Sequence, residues 1–309
     1  MAHHHAHGGH HHHHQPDEGA LLGRSFKIAV LLNILIVIFQ VVYGVIAHSL
    51  ALLSDAGHNL TDVLGLLFSW IAFSISRRLP TKRRTYGLRR STILASLLNG
   101  SILLAASGGI LWEAVSRFRN PQPVHGDTVM WVAGIAMVLN AASAFLFMKK
   151  REHDLNVKSA FLHLATDALV SLGVVISGFI IAETGILWID PLLSILIVIT
   201  IGYSTWGLFK ESLDLALDAV PSSIDTEKVE TYLRNINGVV EVHDLHIWGM
   251  STTEAILTTH LVIPEREADD NFFTEVSRAL HDQFGIEHAT IQVEKGNGPV
   301  CHLAPNEVV

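Results

Sequence analysis

Charge is scarce in this sequence. Asp, Glu, Lys and Arg make up 16% of its 309 residues, against about 25% in an ordinary soluble chain. Cysteine is nearly absent. The single Cys301 excludes an intramolecular disulfide and reads as a free cytosolic thiol. The polar N-terminus is followed by an apolar run long enough to span a bilayer, so no cleavable signal peptide is expected. What the sequence has instead is hydrophobicity: 49% of residues, with a mean hydropathy of +0.37. The charge deficit falls between residues 26 and 209, and the remainder has the composition of a soluble protein.

Six spanning segments are expected, near Ile28–Ala47, Leu50–Ser76, Ser91–Trp112, Thr128–Met148, Ser159–Ala182 and Ile186–Phe209. Each reaches the roughly 20 residues that ~30 Å of hydrocarbon requires. Six in succession argue against buried helices of a soluble protein. The loop after the second segment carries Arg77, Arg78, Lys82, Arg83, Arg84, Arg89 and Arg90, and the loop after the fourth carries Lys149, Lys150, Arg151 and Lys158. This bias places both termini in the cytoplasm of an integral membrane protein. Ahead of the first span, nine histidines fall within the first fourteen positions. Their irregular spacing argues against an engineered tag. Residues 1–25 read as a disordered, metal-collecting tail.

Two of the apolar segments carry a histidine and an aspartate four residues apart: His58 with Asp62, and His163 with Asp167. On a helix, such residues share a face. Ionisable side chains in hydrocarbon cost a few kcal/mol or more, so they are rare there and usually functional. A structural hydrogen-bond network between helices would more often use Asn, Gln, Ser or Thr. The second segment starts outside and the fifth inside, so both pairs fall at a similar depth. Facing each other, they would form a two-His, two-Asp site suited to Zn²⁺. Histidine, with a reference pKa near 6.5, can also hold protons when metal is absent, and metal binding would expel them. Asp55, one turn earlier, is read as a helix cap, and Gln40 as an interhelical contact.

From about Glu211 the pattern becomes α-β-β-α-β: Asp225–Ile236 helical with Asp225 as N-cap, Val239–Trp248 and Ala255–Ile263 extended, Asn271–Phe284 helical and closed by Gly285, and Ala289–Glu294 extended. A small α+β domain is expected over residues 211–296, after a transmembrane domain over 26–210 and before a flexible tail over 297–309. Its candidate ligands are His243, His246, His260, His281, His288, Glu294 and Cys301, with Asp244 a further contributor. Strand alternation puts His243 on the face opposite His246.

The stretches SLALLSDAGHNLTD (49–62), YGLRRSTILASLLNG (86–100), LNVKSAFLHLATDALVSLGVV (155–175), VHDLHIW (242–248) and HATIQVE (288–294) resemble the cation diffusion facilitator family, in particular its bacterial zinc transporters. The resemblance covers residues 20–295. It implies a six-helix transporter with a cytoplasmic metallochaperone-like domain, acting as a homodimer in the bacterial inner membrane. Such a protein exports divalent metal by proton antiport through alternating access. By this resemblance His58, Asp62, His163 and Asp167 match the transport site, and His243, His260, His288 and Glu294 match a regulatory zinc site at the cytoplasmic dimer interface. Zn²⁺ is the leading substrate, with Cd²⁺ and Co²⁺ as alternatives. The sequence departs from the family at Gln40 and Thr92, where acidic residues are common. Its Arg77–Tyr86 loop lacks the His and Asp of an additional loop site.

Two other functions compete with this reading. A membrane-anchored metal sensor would need no intramembrane quartet. An intramembrane metallohydrolase would need an open coordination position and a Glu base beside the ligand, and HNLTD at 58–62 is not HExxH. No enzymatic activity, catalytic residue or nucleic-acid partner is expected.

Overall fold

The structure is a computed structural model that describes residues 18–148, 155–265, 268–298, 301 and 303. Six long helices come first: α1 Glu18–Ile46, α2 Leu50–Ser76, α3 Ser91–Arg119, α4 Gly126–Met148, α5 Leu155–Thr184 and α6 Ile189–Ala216. Helices α7 Thr226–Arg234 and α8 Asp270–Phe284 follow, interleaved with strands β1 Glu241–Gly249, β2 Ala255–Val262 and β3 Ile286–Glu294. The chain divides into two compact units. One comprises the residues up to Val63 with Ile110–Ile197, the other Leu64–Gly109 with Val198–Val309.

Among the described residues, five helical stretches are long and apolar enough to cross a membrane: Leu50–Ser76, Ser91–Arg119, Gly126–Phe145, Phe161–Thr184 and Ile189–Ala216. Helix α1 contributes a shorter apolar stretch, Val30–Ile46. It begins at Glu18 rather than beyond residue 25, because the intervening Ala20, Leu21 and Leu22 are strong helix formers. Most of the expected N-terminal tail lies outside the described residues. The exposed faces confirm the solvent these helices face: Leu31, Leu35, Ile38 and Val45 of α1 are all more than half exposed. The polar groups are inside. Gln40, Asp55, Asn59, Asp167 and Ser171 have no exposed surface at all. That inversion of a soluble protein's pattern suits hydrocarbon, where backbone and polar side chains must be satisfied internally.

Within the first unit, α4 and α5 approach to backbone contact. A Cβ built on Gly178 would lie 2.6 Å from Met130 N, and one on Gly126 would lie 2.5 Å from Ala182 N. Small residues permit this closeness where no hydrophobic effect drives helices together. It fixes α5, and with it His163 and Asp167.

In the second unit, the α-β-β-α-β order is as the sequence implies. The sheet order is β1-β2-β3, with β1 antiparallel and β3 parallel to β2. Val229 and Leu233 of α7 and Phe272, Val276 and Leu280 of α8 bury against Leu257 and Leu261 of β2. Asp225 caps α7 by accepting from Lys228 N, and Lys228 holds its carboxyl below the usual range. Gly285, at φ 70°, ends α8. Strand β3 starts at Ile286, directly after that glycine and earlier than the expected Ala289, because Ile286 is itself a core residue.

Replacing Gly178 by Val should lower the melting temperature of the purified protein, corresponding to about 1–3 kcal/mol of overpacking. Gly134→Ala, whose Cβ would meet only Val175 Cγ2 at 4.0 Å, should leave it unchanged. Equal melting of both variants would refute the close α4–α5 packing.

Candidate metal centres

The first centre is set by how α2 begins. Ser49 caps the helix by accepting from Leu52 N at 3.1 Å, and the Asp190 carboxylate of α6 accepts from Leu50 N at 2.7 Å, Ala51 N at 3.3 Å and the Ser49 hydroxyl at 2.5 Å. Two orphan donors of the first turn are thus met by a buried anion, which the helix N-terminus favours. Asp55 is not the cap. It lies fully buried inside α2, accepting from Gln40 Nε2 of α1 at 2.5 Å and from Ser171 Oγ of α5 at 2.9 Å. The capping role is shared by the local Ser49 and by Asp190, a residue distant in sequence that local pattern cannot reveal. Gln40 is an interhelical contact, and Asn59 Nδ2 also reaches its Oε1 at 3.4 Å. This network joins α1, α2 and α5 one turn before His58.

The two His-Asp pairs face each other and cross. His58 Nε2 of α2 lies 3.2 Å from Asp167 Oδ1 of α5, and His163 Nε2 of α5 lies 3.1 Å from Asp62 Oδ2 of α2. The imidazole centroids are 6.0 Å apart at 81°. His58, Asp62 and Asp167 offer ligand atoms within 4.8 Å of one another. His163 stands beside them, 3.7 Å from Asp167 Oδ2. Asp62 Oδ2 and Asp167 Oδ2 are buried without an aligned hydrogen-bond donor. A buried carboxylate oxygen so placed is costly unless a cation or proton joins it. Together the four residues offer two imidazole nitrogens and two carboxylates, the donor types that suit a four-coordinate Zn²⁺ site.

The second centre is in the α+β unit. His260 Nδ1 lies 3.0 Å and His243 Nε2 3.5 Å from Glu294 Oε1, and the two imidazole centroids are 5.2 Å apart. Cys301 Sγ is 3.7 Å from His260 Nδ1, and His243, His260, Glu294 and Cys301 offer ligand atoms within 4.8 Å of one another. Both nitrogens of the buried His243 ring lack an aligned hydrogen-bond partner. Partial burial would raise the Glu294 pKa, but the Cys301 thiol and the neighbouring His243 and His260 outweigh it and hold the carboxyl below its usual range.

Three expectations change here. His288 is not in this cluster. It pairs with Ile256 while Glu294 pairs with Val262, and at ~3.3 Å per residue the strand separates them by about 20 Å. His288 stands instead against the Tyr86 ring, with centroids 6.0 Å apart. Cys301 takes the place expected for it, from a tail read as loose. The third change concerns alternation along β1. The register slips between His243 and His246, which pair with His260 and Thr258, and so put both on one face. Asp244, at φ 51°, makes the bulge, a conformation Asp tolerates better than most residues. Its carboxylate then meets His246 Nε2 at 2.8 Å and His260 Nε2 at 3.5 Å. His281, in the last turn of α8, is exposed and bonded to Asp282 at 2.9 Å. That bond and Glu287 raise its pKa, so it serves the helix terminus rather than the cluster.

The model of the cation efflux transmembrane domain matches residues 26–215, and that of the cation efflux protein cytoplasmic domain matches residues 221–296. The chain belongs to the cation diffusion facilitator family. This is a family of transporters, not enzymes, and the α+β unit is its cytoplasmic domain. Among the relatives, the zinc transporter ZitB of Escherichia coli is 40% identical over 85% of both chains. The cation efflux system protein CzcD of an Alcaligenes strain is 37% identical over 88% of this chain and 86% of its own. A Bacillus subtilis protein named as a cadmium, cobalt and zinc/H⁺-K⁺ antiporter is 32% identical over 83% and 84%.

Asp190→Ala would leave the Leu50 and Ala51 amides without their carboxylate. A loss of about 1–3 kcal/mol is expected, read as a lower melting temperature in detergent. Asp127→Ala, at the exposed start of α4, should change it little.

Proposed function

We propose that this membrane protein exports a divalent metal, zinc foremost, in exchange for protons, and that His58, Asp62, His163 and Asp167 are its transport site. The observation that carries this reading is the crossed pairing of the quartet, in which the carboxylate of each helix meets the imidazole of the other. Charge balance supports exchange. Two carboxylates in a low-dielectric setting need about two positive charges, which one divalent metal or two imidazolium protons can supply. Metal requires neutral imidazole and ionised carboxylate, so loading releases the protons. A site that faces each side in turn would then convert a proton gradient into metal efflux. The mixed nitrogen and oxygen donors favour Zn²⁺, with Cd²⁺ and Co²⁺ also accommodated. The names of the relatives, which speak of zinc, cadmium and cobalt, agree.

We place the protein in the bacterial inner membrane with both termini cytoplasmic, on the loop arginines and lysines and on the bacterial relatives. A homodimer joined through the cytoplasmic domain follows from the family. His243, His260, Glu294 and Cys301 give that domain a site for cytosolic zinc, which would tighten the dimer and adjust transport. His288 is left out of that set.

In proteoliposomes under a pH gradient, the parent should take up zinc with opposing proton movement. Asp62→Ala and Asp167→Ala should each reduce flux by at least about tenfold, since even outer-shell partners of a metal are worth 10–100-fold in affinity. Full flux by either variant would reject the site. Metal binding by the parent without flux would favour a membrane-anchored sensor instead.

The cytoplasmic cluster is tested with Cd²⁺. Full-length protein should show an ultraviolet thiolate-to-cadmium band that disappears in Cys301→Ser, while His260→Ala weakens binding. An unchanged band in Cys301→Ser would exclude the thiol as a ligand, because Cys301 is the only cysteine.

A further inference from the structure

Within the second unit, a cavity of about 760 Å³ opens where α2 ends, α3 begins and the β1–β2 turn of the cytoplasmic domain comes up. That volume lies in the range of small-molecule sites. Its lining changes character along α2. Trp70 and Phe73, 67% and 52% exposed, line the end within the span. Arg77 lines the other end, its guanidinium 4.5 Å from the centroid of the Phe73 ring. Across from it stands Arg89, paired with Glu254 of the turn, and Thr92 accepts from Thr252 N at 3.1 Å.

The arginines are not equivalent. Arg89 is neutralised by Glu254, whereas Arg77 makes no ion pair among the described residues. The cavity therefore carries one uncompensated positive charge, at its polar end. Arginine offers a planar fork of donors that matches a phosphate, and an aromatic face beneath it fixes its orientation. Trp70 lies on α2, seven residues before Arg77, and tryptophan is enriched near the membrane–water interface. Adjacent basic residues of the same loop, among them Arg78, Lys82, Arg83 and Arg84, supply an attractive field worth about 1 kcal/mol each towards an anionic leaflet. An apolar end in the span, a single free cation at the headgroup level and a basic approach together describe an amphipathic anion.

We propose that this cavity binds an anionic phospholipid of the cytoplasmic leaflet, with its phosphate on Arg77 and an acyl chain along Trp70 and Phe73. The bound headgroup would lie beside the Arg89–Glu254 and Thr92–Thr252 contacts, and so brace the junction of α2 and α3 with the cytoplasmic domain. The site is independent of the metal quartet and does not rest on the transport reading.

The test uses full-length protein in nanodiscs with lipids brominated on the acyl chain. Brominated phosphatidylglycerol should quench tryptophan fluorescence more than brominated phosphatidylcholine at the same mole fraction. That excess should vanish in Trp70→Phe, which keeps an apolar ring, and in Arg77→Gln, while Arg83→Gln in the exposed loop retains it. In detergent, native mass spectrometry should show phosphatidylglycerol retained at least tenfold better by the parent than by Arg77→Gln. Equal quenching by the two lipids would overturn the proposal. So would an excess that survives both cavity substitutions, or one that Arg83→Gln removes as fully as Arg77→Gln. Displacement of phosphatidylglycerol by millimolar inorganic phosphate would assign the cavity to a soluble anion instead.

Discussion

Two carboxylates held in an apolar helical unit must be compensated, and much of the first unit's architecture follows from that constraint. Asp62 and Asp167 lie on different helices, and each is met by the histidine of the other. The crossing matters. A histidine paired only with the aspartate of its own helix would bind α2 and α5 to nothing. Paired across, the four side chains couple the two helices through charge, so that any cation entering the site acts on both at once. The remaining polar groups make this arrangement possible. Asp190 fixes where α2 starts, and Gln40, Asp55 and Ser171 tie α1, α2 and α5 together one turn away. The glycine contact between α4 and α5 holds the other strut in place.

These supports differ in kind from the site they hold. Asp55 and Asp190 accept two or more short hydrogen bonds each from donors that do not titrate. Asp62 and Asp167 are instead matched with imidazoles, which titrate. The partners of the first pair are amides and hydroxyls of fixed charge, and those of the second can gain or lose a proton. The four acids of this helical unit thus divide by their partners: Asp55 and Asp190 meet amides and hydroxyls, and Asp62 and Asp167 meet imidazoles.

The sequence made the quartet legible because two signals coincide there: a cost, the ionisable group in hydrocarbon, and a periodicity, the four-residue spacing. It made the α-β-β-α-β order legible for a similar reason, since caps at Asp225 and Gly285 are local chemistry. What escaped was set by distant contacts. The carboxylate that joins Ser49 in capping α2 belongs to α6, more than a hundred positions away, and no window of sequence joins them. His288 was placed with Glu294 by likeness to the family, yet the length of β3 keeps them apart. His243 and His246 were set on opposite faces by a rule of two that one bulged aspartate suspends. Local rules predicted local structure, and failed where a single residue changes the register of everything after it.

That bulge also brings a second carboxylate to the edge of the cytoplasmic cluster. In an unbroken strand, His243 would reach His260 across the ladder, but Asp244 would turn to the other face. With Asp244 at φ 51°, its carboxylate instead lies beside His260 and His246, while His243 stays buried against Glu294. Each imidazole of the cluster then has a carboxylate neighbour: Glu294 for His243, and Glu294 with Asp244 for His260. Carboxylates beside metal-binding imidazoles orient the rings and raise their basicity. The thiol of Cys301 closes the open side, so a soft donor joins two borderline nitrogens. The two candidate centres of this chain therefore differ in donor chemistry: imidazole and carboxylate alone between α2 and α5, with a thiol added in the cytoplasmic domain. Carboxylate oxygen holds a borderline metal less tightly than a thiolate does, which is the difference that the proposed transport and regulatory roles would call for.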